Sequence, residues 1–77
     1  MEKNPIKIEL SKDEALVLFE FLGRLNKQNI DTLFEDQAEQ RVLWDIESTL
    51  EKALSEPFLD NYLELLNNAR AQVRDAE

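Results

Sequence analysis

A chain of 77 residues with no cysteine, no histidine, one glycine and a formal net charge of −8 lacks several chemistries before any pattern is read. Disulfide frameworks, the usual zinc sites and phosphate-cradling glycine loops are excluded, and 17 acidic against 9 basic residues leave little with which to grip a phosphate backbone or an anionic membrane surface. With 43% hydrophobic and 34% charged residues, the composition is that of one globular domain near the lower size at which a chain folds alone.

Residues 1–10, MEKNPIKIEL, lack the basic and apolar regions of a secretion signal. The longest apolar run, Ala15 to Phe19, is far short of the ~20 residues of a membrane span. The expectation is a cytoplasmic protein with no membrane partner. In residues 5–10, Ile6, Ile8 and Leu10 alternate with Lys7 and Glu9, the period of a half-buried strand, and Pro5 suits a strand start or edge. No second strand-like run follows, and a lone strand cannot satisfy its own backbone groups. Three arrangements answer that: an arm packed on a helix, pairing with a second copy of the chain, or augmentation by a different protein.

Residues 11–25 are the most apolar stretch. Ser11 and Glu14 have capping-box spacing, Leu10 and Ala15 occupy the hydrophobic-staple positions, and charges of the favourable sign lie at both ends. Val17, Phe21, Leu25, Leu18, Leu22, Ala15 and Phe19 cover roughly 200° of the circumference at ~100° per residue. That exceeds the one-sided stripe of a surface helix, so this is the central helix, with neighbours on two sides. Gly23 either ends it early as a cap or lies within a helix that continues to Gln28 and admits a close neighbour; the period kept by Leu25 favours continuation.

The segment to Glu35 reads as a packed connection carrying Ile30, Leu33 and Phe34, with turn formers Asn29 and Asp31 and capping-box spacing at Thr32 and Glu35. The second helix presents Ala38, Val42, Leu43, Ile46, Thr49, Leu50, Ala53 and Leu54 on one face. Arg41 with Asp45 and Lys52 with Glu56 are opposite charges four apart. Glu39 falls inside the apolar arc, but in the first turn, where it stays wet and favours the dipole. Pro57 stops the helix, Asp60 is the expected cap of the third, and Tyr62, Leu65, Leu66, Ala69 and Val73 form its inner face. The fold class is therefore mainly α: a single three-helix domain over residues 1–77, with an extended N-terminal arm or single strand at 5–10 and helices at about 11–28, 36–55 and 60–74.

No catalytic, cofactor or metal site emerges. The five hydroxyl residues Ser11, Thr32, Ser48, Thr49 and Ser55 have no histidine base, and Ser48 with Lys52 lies on a wet helix face. Glu35, Asp36 and Glu39, and Glu47 with Glu51, are carboxylate groups without an implied cleft to separate their pKa values. The chain is expected to be a non-enzyme without a cofactor.

Trp44 does not fit. It sits about 160° from the centre of the second helix's apolar face, among Gln37, Gln40, Arg41, Glu47, Ser48 and Glu51. An indole there needs a cover, whether the preceding loop, a second copy of the chain, or another protein. The candidate partner-binding set is Trp44, Gln40, Arg41, Glu47, Ser48 and Glu51, and its acids point toward a basic protein partner.

The segments LSKDEALVLFEFL, EDQAEQRVLWDIE and EPF resemble those of an uncharacterised family of small acidic bacterial proteins. The resemblance covers most of the chain, implies a bacterial cytoplasmic origin, and brings no activity.

The functional expectation is a non-enzymatic protein-binding module, such as a small inhibitor, an antitoxin-like or immunity-like partner, or an adaptor. The alternative is an acidic nucleic-acid mimic that occupies a DNA- or RNA-binding protein, weakened by the basic residues mixed among the acids (Arg24, Lys27, Arg41, Lys52, Arg70 and Arg74). An unpaired strand and an off-face tryptophan both ask for a second chain, so a homodimer is expected.

Overall fold

The computed structural model describes residues 5–28 and 32–75. Three helices, α1 (Lys12–Leu25), α2 (Gln37–Ala53) and α3 (Tyr62–Arg74), with a short 3₁₀ turn at Glu56–Phe58, make a mainly α three-helix domain. Among the described residues there is no strand. The expected position of Ile30, in the connection before α2, lies outside the described residues, as do those of Asn29 and Asp31.

The α1 N-terminus forms as its spacing dictates. The Ser11 hydroxyl accepts from the Glu14 amide at 3.0 Å, and the Glu14 carboxylate accepts from the Ser11 amide at 2.9 Å. The C-terminus is earlier than expected. Asn26, not Gln28, ends the helix, its amide shared between the carbonyls of Leu22 and Arg24. Lys27 and Gln28 follow with tight turns onto Arg24 and Leu25. Gly23 lies inside the helix with ordinary negative φ.

Both other helices pack mainly against α1, as its wide apolar arc requires. The core is Ala15, Leu16 and Leu22 of α1, Leu50 and Leu54 from α2 and its cap, and Ala69 of α3, with Leu66 also buried. The arc is as wide as expected but rotated. Leu16, absent from the expected arc, is buried, whereas Phe21 is 47% exposed, its ring beneath the Arg24 guanidinium at 5.6 Å. The reason is the pair of flanking helices. They take the sides of α1 on which Leu16 and Leu22 lie, so the Phe21 side is left over.

Caps and ion pairs follow the local spacing only in part. Asp36, at the expected start of the second helix, caps α2, accepting from the Ala38 amide at 2.7 Å; Glu39 remains exposed and reaches back to the Glu35 amide at 2.9 Å. At α3, Asn61 rather than Asp60 is the capping residue, without a side-chain bond, because the 3₁₀ turn carries the chain one residue further before the helix starts. Glu56 pairs with Lys12 at 2.9 Å instead of Lys52, tying the 3₁₀ turn to the start of α1. The Lys12 ammonium holds the Glu56 carboxyl below the usual carboxylate value.

Candidate functional site

The orientation of α2 decides what the surface offers. Leu43, Leu50 and Leu54 turn toward α1, and Glu47 lies on the same side, half-buried. Its Oε1 accepts from the Asn26 side-chain amide at 2.6 Å. A Cβ placed on Gly23 would stand 3.6 Å from the other Glu47 oxygen, so the glycine lies beside this carboxylate. Of the expected partner-binding set, Glu47 is thus the residue engaged with α1.

This rotation leaves a flank of α2 open on each side. At ~100° per residue, Trp44 falls about 100° from Leu43 in one direction and Val42 about 100° in the other. The expected inner face is only half covered: Val42, Ile46, Thr49 and Ala53 are exposed, as is Ala38 near the N-terminus. Two apolar helices packed on α1 do not reach them.

On the first flank, Trp44 is 46% exposed. With Gln37, Ala38, Gln40 and Arg41 it borders a shallow concavity of about 480 Å³. Ser48 and Glu51 are exposed and continue this flank by helix position. The structure therefore gathers Trp44, Gln40, Arg41, Ser48 and Glu51 on one strip and leaves Glu47 out. Phe34 lies against the start of the strip, bordering a smaller hollow with Glu35, Asp36, Gln37 and Gln40, while Leu33 is exposed. The described part of the loop does not close over the indole.

The second flank carries a larger feature that the sequence reading missed. A groove of about 750 Å³ runs between the N-terminal arm and α2, lined by Ile6, Ile8 and Leu10 on one wall and Val42, Asp45, Ile46, Thr49 and Leu50 on the other, with Leu18 also lining it. Ile6 is 90% and Ile8 80% exposed. The arm's three apolar side chains all face the groove without being buried by it, so the arm is not packed down on α1. The signal that could have found this site was present: an apolar band of eight positions on α2 is more than one helical neighbour covers.

Chemically, the groove holds one carboxylate, Asp45. Glu35 and Asp36 share the hollow beside Phe34, but Asp36 is engaged as the α2 cap. Among the described residues no group of three or more carboxylates is placed to hold a metal ion, and no helix is long and apolar enough to cross a membrane. No family model, curated protein or solved structure matches the chain.

Proposed function

We propose that the chain is a non-enzymatic protein-binding module that takes a protein with a basic surface on the Trp44 flank of α2. The observation that supports this is an indole nearly half in water on a helix anchored to α1 along its other side. Tryptophan and arginine are the side chains at which binding energy concentrates, and here Trp44 and Arg41 border one shallow concavity. Glu51 on the same strip, and a net charge of −8, favour a basic partner and speed its approach. A rigid helix presenting the anchor keeps the ordering cost of association low.

The test is capture from a lysate of the source cells with wild type and with Trp44→Ala, at low and high salt. The expected result is a defined partner that wild type retains at high salt and Trp44→Ala does not. Capture indifferent to Trp44→Ala overturns the assignment. Capture lost steeply with salt in both proteins marks a nucleic-acid mimic instead. Because Trp44 contributes little to the core, the variant keeps its helical circular dichroism.

A further inference from the structure

We infer that the groove on the opposite flank is filled by a second copy of the same chain, through antiparallel pairing of the two N-terminal arms about a twofold axis at Ile8. This rests on the reading of the chain as a binding module and names the occupant of one of its two faces.

The arm is a strand in composition and spacing but not in pairing. Pro5 opens it, and none of the backbone groups of residues 6–10 is hydrogen-bonded to another described residue. An extended segment in this condition is a template for another strand. Its order of side chains states which strand. In Ile6–Lys7–Ile8–Glu9–Leu10, antiparallel pairing centred on Ile8 sets Ile8 opposite Ile8 of the partner subunit. The same register places Lys7 opposite the partner's Glu9, twice by symmetry, and Ile6 opposite the partner's Leu10, also twice. Opposite charges directly across an antiparallel pair stabilise it, and like charges oppose it. A shift of one residue would put apolar side chains on both faces of the ribbon.

The groove accounts for the other side of the ribbon. Alternation puts Ile6, Ile8 and Leu10 of both arms on one face, six apolar side chains in all, with Lys7 and Glu9 on the other. The arm already holds that apolar face toward Val42 and Ile46. A second arm widens it into a lid over the exposed apolar bands of both α2 helices. It covers the part of α2 that the single chain leaves in water, in a domain of a size that often completes its core by association. The Trp44 strip lies on the other side of α2 and stays free for a different protein.

Sedimentation equilibrium on purified wild type, Lys7→Glu, Glu9→Lys, the equimolar mixture of the two variants, and the double variant tests the register. Wild type is expected to be a dimer in the micromolar range. Each single variant turns two attractive cross-strand pairs into repulsive ones and should weaken association by roughly tenfold or more. The mixture should form a heterodimer, because each chain now supplies the charge the other needs, and the double variant should regain the wild-type affinity. These positions are exposed, so helical circular dichroism should be unchanged throughout. A wild type that stays monomeric at high micromolar concentration overturns the proposal. So does a dimer that both single variants form as tightly as wild type, or one abolished by Trp44→Ala. Apart from that last outcome, which would move Trp44 itself into the seam between copies, these results on pure protein do not bear on lysate capture through Trp44, so the two readings fail separately.

Discussion

The side-chain amide of Asn26 donates to Oε1 of Glu47 across 2.6 Å, joining the last turn of α1 to the middle of α2. The contact lies on the side of α2 that packs on α1 through Leu43, Leu50 and Leu54, the rotation that leaves both flanks open. The side-chain Oδ1 of Asn26 is buried beside it with no hydrogen-bond partner among the described residues. Glu47→Ala strands the whole amide and should destabilise the domain by about 1–2 kcal/mol. Glu47→Gln keeps an acceptor for the Asn26 nitrogen and offers a donor to its orphaned oxygen, so it should stay within about 0.5 kcal/mol of wild type. Urea denaturation midpoints at constant slope decide this.

Tyr62 is held against α1, its hydroxyl donating to Glu20 at 3.0 Å. Burial, then the Glu20 carboxylate, push its pKa up to about 12 from an ordinary 10. The folded state therefore binds the phenolic proton more tightly than the unfolded chain. The associated stability is complete below pH 10 and is lost as pH rises toward 12. Tyr62 is the only tyrosine, so ultraviolet absorbance titration reads this group alone. A midpoint near 12 is expected, moved partway back by Glu20→Gln. In Tyr62→Phe, the fall in stability over this interval should shrink.

Gly23 has helical geometry and room for a methyl group in ordinary van der Waals contact with the Glu47 carboxylate, 3.6 Å away. Gly23→Ala should raise stability by about 0.5–1 kcal/mol through helix propensity. Gly23→Leu should reverse the gain by displacing Glu47 from Asn26. Thermal unfolding of the two variants beside wild type gives the signs.

The sequence carried the elements better than their rotations. Ser11 with Glu14, Pro57 and three amphipathic runs specify where the helices lie, because capping and period act within a turn or two of chain. Which way a helix turns depends on its neighbours. Leu16 in place of Phe21, and Glu47 in place of Val42, face inward because of how α2 and α3 sit on α1. Ion pairs followed the same rule: Glu56 took Lys12, 44 residues away, over Lys52 one turn away. Trp44 was legible as an outlier because it breaks the period of its own helix. The groove was legible only as an apolar band on α2 wider than one neighbour covers; its place was not, since it arises where the arm and α2 are brought near each other without closing.

The most direct measurement of the second-copy assignment is hydrogen exchange at the backbone amides of residues 6–10 as a function of protein concentration. In the isolated chain these amides have no backbone acceptor among the described residues and should exchange freely. Pairing of the arms predicts protection of alternate amides in this segment that rises with concentration, in step with the dimer fraction. Free exchange in residues 6–10 at concentrations where the protein is fully associated would contradict it.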